Sequence, residues 1–174
     1  MKNLLLIFSL LICSISFSQS ESDILFIKSK IENVNAQSKN YKLTVISKTD
    51  ETEMLHGNEI AVFTDDLRHI KLIRETYLNE TGKTVIWDYI ENNHAYFILK
   101  EYFIYKFPVA DKKFNEADFT KTDEGFYLKN DRVIRWMKGT KLITKYPKNA
   151  ASIENNMIEH IADLVAKFNQ QTTK

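Results

Sequence analysis

Four histidines and a scatter of carboxylates are the side chains of this sequence with the reach for catalysis or metal binding. The histidines are His56, His69, His94 and His160. A helical zinc signature sets two imidazoles four residues apart on one face, and no pair here has that spacing. Asp65-Asp66 with His69, and Glu91 with His94, gather carboxylate and imidazole at what read as hairpin turns. Asp and Asn serve turn geometry at such places, with His facing water. His160, between Glu159 and Asp163, reads as the solvated flank of a helix. No metal and no cofactor is expected from these spacings. Asp88, Glu91, Glu101 and Glu124 fall on neighbouring predicted strands, where two carboxyls could meet as the acid–base pair of a hydrolase. The same charges suit a solvated sheet face equally well. Gly57, Gly82, Gly125 and Gly139 stand too far apart for a phosphate loop, a dinucleotide fingerprint or a nucleophile elbow, each of which clusters its glycines. The one cysteine is Cys13. Its place in a leader-like stretch leaves no thiol chemistry and no disulfide downstream.

Aromatic side chains are the other chemical resource. Trp87 and Tyr89 share one face of their predicted strand, as Tyr96 and Tyr102 share one face of the next, and Trp136 sits on the last hairpin. Phe97, Phe103 and Tyr105 take the opposite face. An antiparallel sheet that is apolar on both sides must be covered on both or line a cavity. Packing and cross-strand pairing use such rings; a ligand groove or a partner patch uses the same ones.

The elements that would position these residues follow from periodicity. Ile24, Leu25, Ile31 and Val34 fall at near-helical spacing between Ser22, a plausible N-cap, and Ser38. Residues 41–47 (YKLTVIS) alternate as a first strand, and a polar loop follows from Lys48 to Gly57. Glu59–Thr64 and Leu67–Leu78 form a first hairpin turning at Asp65-Asp66. Thr84–Glu91 and His94–Phe107 form a second, turning at Asn92-Asn93, and Glu124–Lys138 a third, turning at Asn130-Asp131. Asn and Asp tolerate the positive φ that tight two-residue turns demand. Gly82 suits a left-handed position in the turn before the second hairpin. Pro108 stops a strand, and Val109–Asp123 is irregular, with Phe114 and Phe119 available to pin it down. Lys141–Thr144 is a short last strand. Ile153, Met157, Ile161, Leu164 and Phe168 then mark the clearest amphipathic helix, with a polar tail fraying beyond Asn169. The fold class expected is α+β: a curved antiparallel meander of seven or eight strands, with an N-terminal and a C-terminal helix packed on one face.

Residues 1–18 read as a signal peptide: Lys2, then an apolar run from Leu4 to Ile12, then small residues ahead of a cleavage point between Ser18 and Gln19. Residues 19–174 make a single domain, large enough to bury a core without disulfides. Setting Lys2 aside brings the 24 basic residues level with the 23 acidic ones, so nothing favours nucleic acid or an anionic membrane as partner. No later run is long enough for a transmembrane helix.

Residues 82–89 (GKTVIWDY) and 124–136 (EGFYLKNDRVIRW) resemble a pattern of small, hairpin-rich exported proteins of Gram-negative bacteria. There a Tyr/Phe-rich strand meets an Asn-Gly or Asp-Gly turn, followed by Lys/Arg-Leu/Val-Ile-Arg-Trp. The likeness spans about Gly57 to Gly139, and this chain carries Asn or Asp where glycine is usual at the second turn position. It implies location in the periplasm or outside the cell and hairpin architecture, and it carries over no catalytic residue. The functional expectation is an exported, non-enzymatic module that binds a protein or an apolar small molecule through Trp87, Tyr89, Tyr96, Tyr102 and Trp136. Its rivals are a carrier or chaperone for lipid or lipoprotein, and a hydrolase using Asp88 and Glu101.

Overall fold

The computed structural model describes residues 21–48 and 57–172. Cys13, the Ser18/Gln19 cleavage point, His56 and the body of the loop after Lys48 lie outside the described residues. Eight antiparallel strands form one open sheet whose spatial order is the chain order: β1 Lys42–Lys48, β2 Asn58–Thr64, β3 Ile70–Asn79, β4 Gly82–Glu91, β5 His94–Tyr105, β6 Phe119–Lys129, β7 Arg132–Lys138 and β8 Lys141–Leu142. Helix α1 covers 21–37, and helix α2 runs from Ala150 to Thr172. The α+β meander with a helix before and after it is as the sequence predicts. No helix among the described residues is long and apolar enough to cross a membrane.

The helices do not share a face. Ile27, Ile31 and Val34 of α1 pack with Phe63, Leu72, Tyr89 and Phe97. Met157, Ile161, Leu164, Val165 and Phe168 of α2 pack with Val62, Ile73, Ile90, Ile98 and Phe126. Leu72 pairs across to Tyr89 while Ile73 pairs to Asp88, so the two sets point to opposite sides of the sheet. The reason lies in the strands: stretches such as Ile70–Ile73 and Ala95–Leu99 are apolar at both parities, and burying only one side would leave the other wet. On α1 the inward stripe is Ile24, Ile27, Ile31 and Val34, while Leu25 is exposed and Ser22 is already helical.

The tight turns follow the Asn/Asp grammar at two places of three. Asn92 and Asn93 have φ of 52° and 67°, and Asn130 and Asp131 have 51° and 56°, the left-handed pair that a type I′ hairpin turn requires. The expected Asp65-Asp66 turn is instead a longer loop. Arg68 takes the positive φ (66°), and the Asp65 carboxylate accepts the Leu67 and His69 amides at 3.0 and 2.8 Å. Gly82 is not left-handed; a Cβ there would stand 2.1 Å from the Phe103 carbonyl oxygen, so it is close backbone approach that demands glycine. β6 begins within the stretch read as irregular, where Phe119 packs on Phe103 and Phe114 on Tyr105. α2 continues past Asn169, and the Gln171 amide donates to the Ile46 carbonyl at 3.2 Å, giving the polar tail a reason to stay helical.

After each type I′ turn the returning strand carries one extra residue. Tyr89 pairs with Phe97 and Ile90 with Ala95, leaving Tyr96 unopposed. Tyr127 pairs with Arg135 and Leu128 with Val133, leaving Ile134 unopposed. These bulges reset which face the side chains take, and both extra residues join the α1-side cluster.

Candidate functional site

Two places concentrate polar chemistry, one beneath α2 with its carboxyls buried and one open beside α1. The first starts from strand register. Glu75 on β3 faces Ile86, and Asp88 on β4 faces Ile73, so the two carboxyls are diagonal neighbours on the α2 side. Their residues are 1% and 2% exposed. Tyr77, two residues along the same strand, donates its hydroxyl to Glu75 Oε2 at 2.6 Å. His160 reaches down from α2 to the same oxygen at 2.7 Å. Glu75 Oε1 and Asp88 Oδ2 have no hydrogen-bond partner.

Burial, and after it the charge of Glu75, pushes Asp88 up to about 8, against the pull of His160 and Lys100. Asp88 is therefore a neutral acid at pH 7. The hydrogen bond to Glu75 raises His160 more than its partial burial lowers it. A neutral carboxylic acid beside a carboxyl–imidazole pair is equipment for proton transfer. Neither the large cleft beside α1 nor the smaller cavity near the start of α2 is lined by Glu75, Asp88 or His160; the cluster meets solvent through His160, whose side chain is 47% exposed. Among the described residues, no group of three or more His, Cys, Asp and Glu side chains is arranged to hold a metal ion.

Sequence reasoning missed this cluster although one of its signals was present. Ile86, Asp88 and Ile90 share strand parity, so a carboxyl stood in the middle of a buried row. His160 stands on the solvated flank of α2 as the sequence suggests, its side chain 47% exposed, yet its ring turns in to Glu75, which spacing alone does not reveal. The acids proposed for a hydrolase are divided between faces. Glu101 lies on the α1 side, accepting the Trp87 indole N–H at 2.9 Å and pairing with Lys121 at 2.5 Å. Asp88 lies on the other, so those two cannot act on one substrate atom.

The open site is a cleft of about 570 Å³ where α1 crosses the two type I′ turns. Its floor includes Ile27, Ala95, Tyr96 and Leu128, with Phe26 at the edge. Two charge pairs and one histidine–carboxylate contact tie its three walls together. Lys30 of α1 meets Glu91 at the end of β4; Asp23 of α1 meets Lys129 of β6 at 2.7 Å; His94 of β5 meets Asp131 in the neighbouring turn at 3.1 Å. Lys30 Nζ also lies 4.7 Å from the centroid of the Tyr96 ring and 5.0 Å from that of Phe26, a cation–π arrangement. Tyr96 is 9% exposed, and its buried hydroxyl has no hydrogen-bond partner. Burial pushes that hydroxyl's pKa up. The bulge at residue 96 keeps Tyr96 and Phe97 on the same, α1-side face, where strict alternation would have separated them.

The five aromatics singled out in the sequence do not form one surface. Trp87, Tyr89 and Tyr96 are on the α1 side, where Tyr89 is core and donates its hydroxyl to Asn35 at 2.9 Å. Trp136 is on the α2 side, opposite Phe126, and Tyr102 shares that side, opposite Thr84 and Thr122. Of the five, Tyr96 alone lines the large cleft; Trp136 lines a smaller one near the start of α2. Comparison with known proteins finds no matching family model, no matching curated protein and no matching solved structure.

Proposed function

We propose that this protein is an exported, non-enzymatic binding module, and that the cleft between α1 and the two type I′ turns holds a short segment of a partner protein. The observation that carries this reading is Tyr96. Its ring lines the open cleft beside the Lys30 ammonium, an aromatic and cationic surface that a peptide side chain can extend. The rim suits a peptide. A backbone brings donors and acceptors together, and the rim offers both charges in exchangeable, solvent-exposed pairs. The floor suits an apolar anchor, and the volume falls within the roughly 300–1,000 Å³ typical of ligand pockets. Leu25 and Phe26, 60% and 64% exposed on α1, extend an apolar shoulder beside it. Export rests on the leader-like residues 1–18 and on the resemblance to small exported hairpin proteins.

Panning a displayed random-peptide library against the folded protein tests this. Enriched peptides should carry an apolar or aromatic anchor, and Phe26→Ala should weaken them by about tenfold, the effect of a modest interface anchor. Trp87→Phe, outside the cleft, should leave their affinity unchanged. A library that yields no enriched sequence, or peptides indifferent to Phe26→Ala, would end the proposal.

A further inference from the structure

The large cleft holds a cation of the protein's own. Lys30 reaches into it from α1, and its ammonium meets three walls: the Tyr96 ring at 4.7 Å, the Phe26 ring at 5.0 Å and the Glu91 carboxylate. All four residues line the cleft. We propose that Lys30 is an internal stand-in for a ligand cation. This rests on the reading of the cleft as a peptide site and narrows it: the bound segment displaces Lys30 with an arginine side chain.

The walls select the sign of the charge. Aromatic faces carry negative potential, so two rings converging on one point favour a cation and disfavour a carboxylate. Glu91 adds a full negative charge on the third side. The other lysine of the lining, Lys129, is paired with Asp23 at 2.7 Å. The corner made by Tyr96, Phe26 and Glu91 is thus the part of the cleft whose present occupant shows what it accepts.

The same walls let the occupant change. Tyr96 is fixed in the buried foot of the corner, while Phe26 and Glu91 are exposed and Lys30 is only partly covered. An exposed ion pair parts into water at little cost. A lysine on the segment would exchange like for like. Arginine does better, because its planar guanidinium stacks flat on a ring and forks to a carboxylate through two N–H groups, where an ammonium offers a point charge. The apolar floor of Ile27, Ala95 and Leu128 belongs to the same cleft, so the motif expected is an apolar anchor next to an arginine.

Lys30→Met tests this by removing the internal cation while keeping an unbranched stem. The probe is Nα-acetyl-leucyl-arginine amide, and its citrulline analogue, neutral and nearly isosteric, is the control. Binding is read as saturable shifts of the Ala95 and Tyr96 backbone amides. Lys30→Met should hold the arginine peptide about tenfold more tightly than wild type, the strength of one exposed pair together with a cation–π contact. The citrulline peptide should bind at least tenfold more weakly than the arginine peptide, and Glu91→Gln should erase most of that preference. Arginine and citrulline peptides of equal affinity would overturn the proposal, as would no gain in a Lys30→Met protein that unfolds at the wild-type temperature, or shifts confined to residues outside the cleft. Library peptides enriched for the apolar anchor without arginine would overturn this inference and leave the cleft a peptide site, whereas a library without enrichment ends both.

Discussion

The two helices roof the same sheet from opposite sides, and they treat charge in opposite ways. On the α1 side the charges that reach the helix stay at the edge: Lys30–Glu91, Asp23–Lys129 and Glu21–Arg135 stitch it to the turns and to β7. On the α2 side two carboxyls are drawn inside the sheet–helix interface, where one imidazole reaches Glu75. Exposed pairs contribute about 0–1 kcal/mol each, so they can be traded for a ligand's groups at little cost. Buried groups are tied to protonation and packing, and cannot be exchanged without moving α2. The difference separates a surface suited to binding from an interior sensitive to pH.

The sharpest way to break this contrast is to remove the buried partner. Glu75→Ala leaves Tyr77 and His160 without their shared acceptor and opens a void beneath α2. It should lower the free energy of unfolding in urea by about 3 kcal/mol or more. Asp88→Asn keeps shape and neutrality, and should cost less than about 1 kcal/mol at pH 7. If the two substitutions cost the same, Asp88 is not the neutral member.

Next in size is the pH dependence. Asp88 ionises near 3.8 when unfolded and near 8 when folded, so between those values the folded chain holds a proton that the unfolded chain has lost. Stability must then fall as pH rises through that window, by at most about 1.4 kcal/mol per pH unit from this group. His160, also raised by folding, contributes stability below its unfolded value near 6.5 that is lost as pH climbs through its folded one. Both act in one direction. Urea midpoints measured from pH 5 to 9 should decline, and Asp88→Asn should flatten the decline.

Smallest of all is the rim. Lys30→Ala should change stability by less than about 1 kcal/mol, with a urea midpoint nearly level with wild type. A loss as large as that of Glu75→Ala would show that the α1 side depends on its charges no less than the α2 side does.

Much of this architecture was legible from local signals, and the misses share a cause. Asn92-Asn93 and Asn130-Asp131 announce their turns because few other residues accept positive φ, and the Met157–Phe168 stripe announces α2. What alternation could not reveal is a one-residue slip. The bulges at Tyr96 and Ile134 leave no mark in composition, yet each sets two successive residues on the α1 face. Helix placement failed differently: both parities of β3 to β5 were visibly apolar, and that observation outweighs a one-sided layer model. The acid cluster required register, which places Glu75 beside Asp88 only once the Glu80-Thr81 turn between β3 and β4 is fixed. Asp65-Asp66 misled because its first carboxylate caps a longer loop and leaves the left-handed position to Arg68.

Strand order that equals chain order has a kinetic consequence. Every ladder of the sheet joins neighbours in sequence, so the tight turns at Asn92-Asn93 and Asn130-Asp131 each close a short loop, and the sheet can zip outward from them without waiting for a distant strand. The helices are the exception: α1 reaches β6 and β7 through Asp23–Lys129 and Glu21–Arg135, and the longest strap is α2. Its first turns lie against β7 through Glu154 and Val133, and its end reaches β1 through Gln171 and Ile46, so it cannot dock until the whole meander is in place. Folding should therefore show an early, locally nucleated sheet and a late closing step, in which one helix straps the first strand to the seventh.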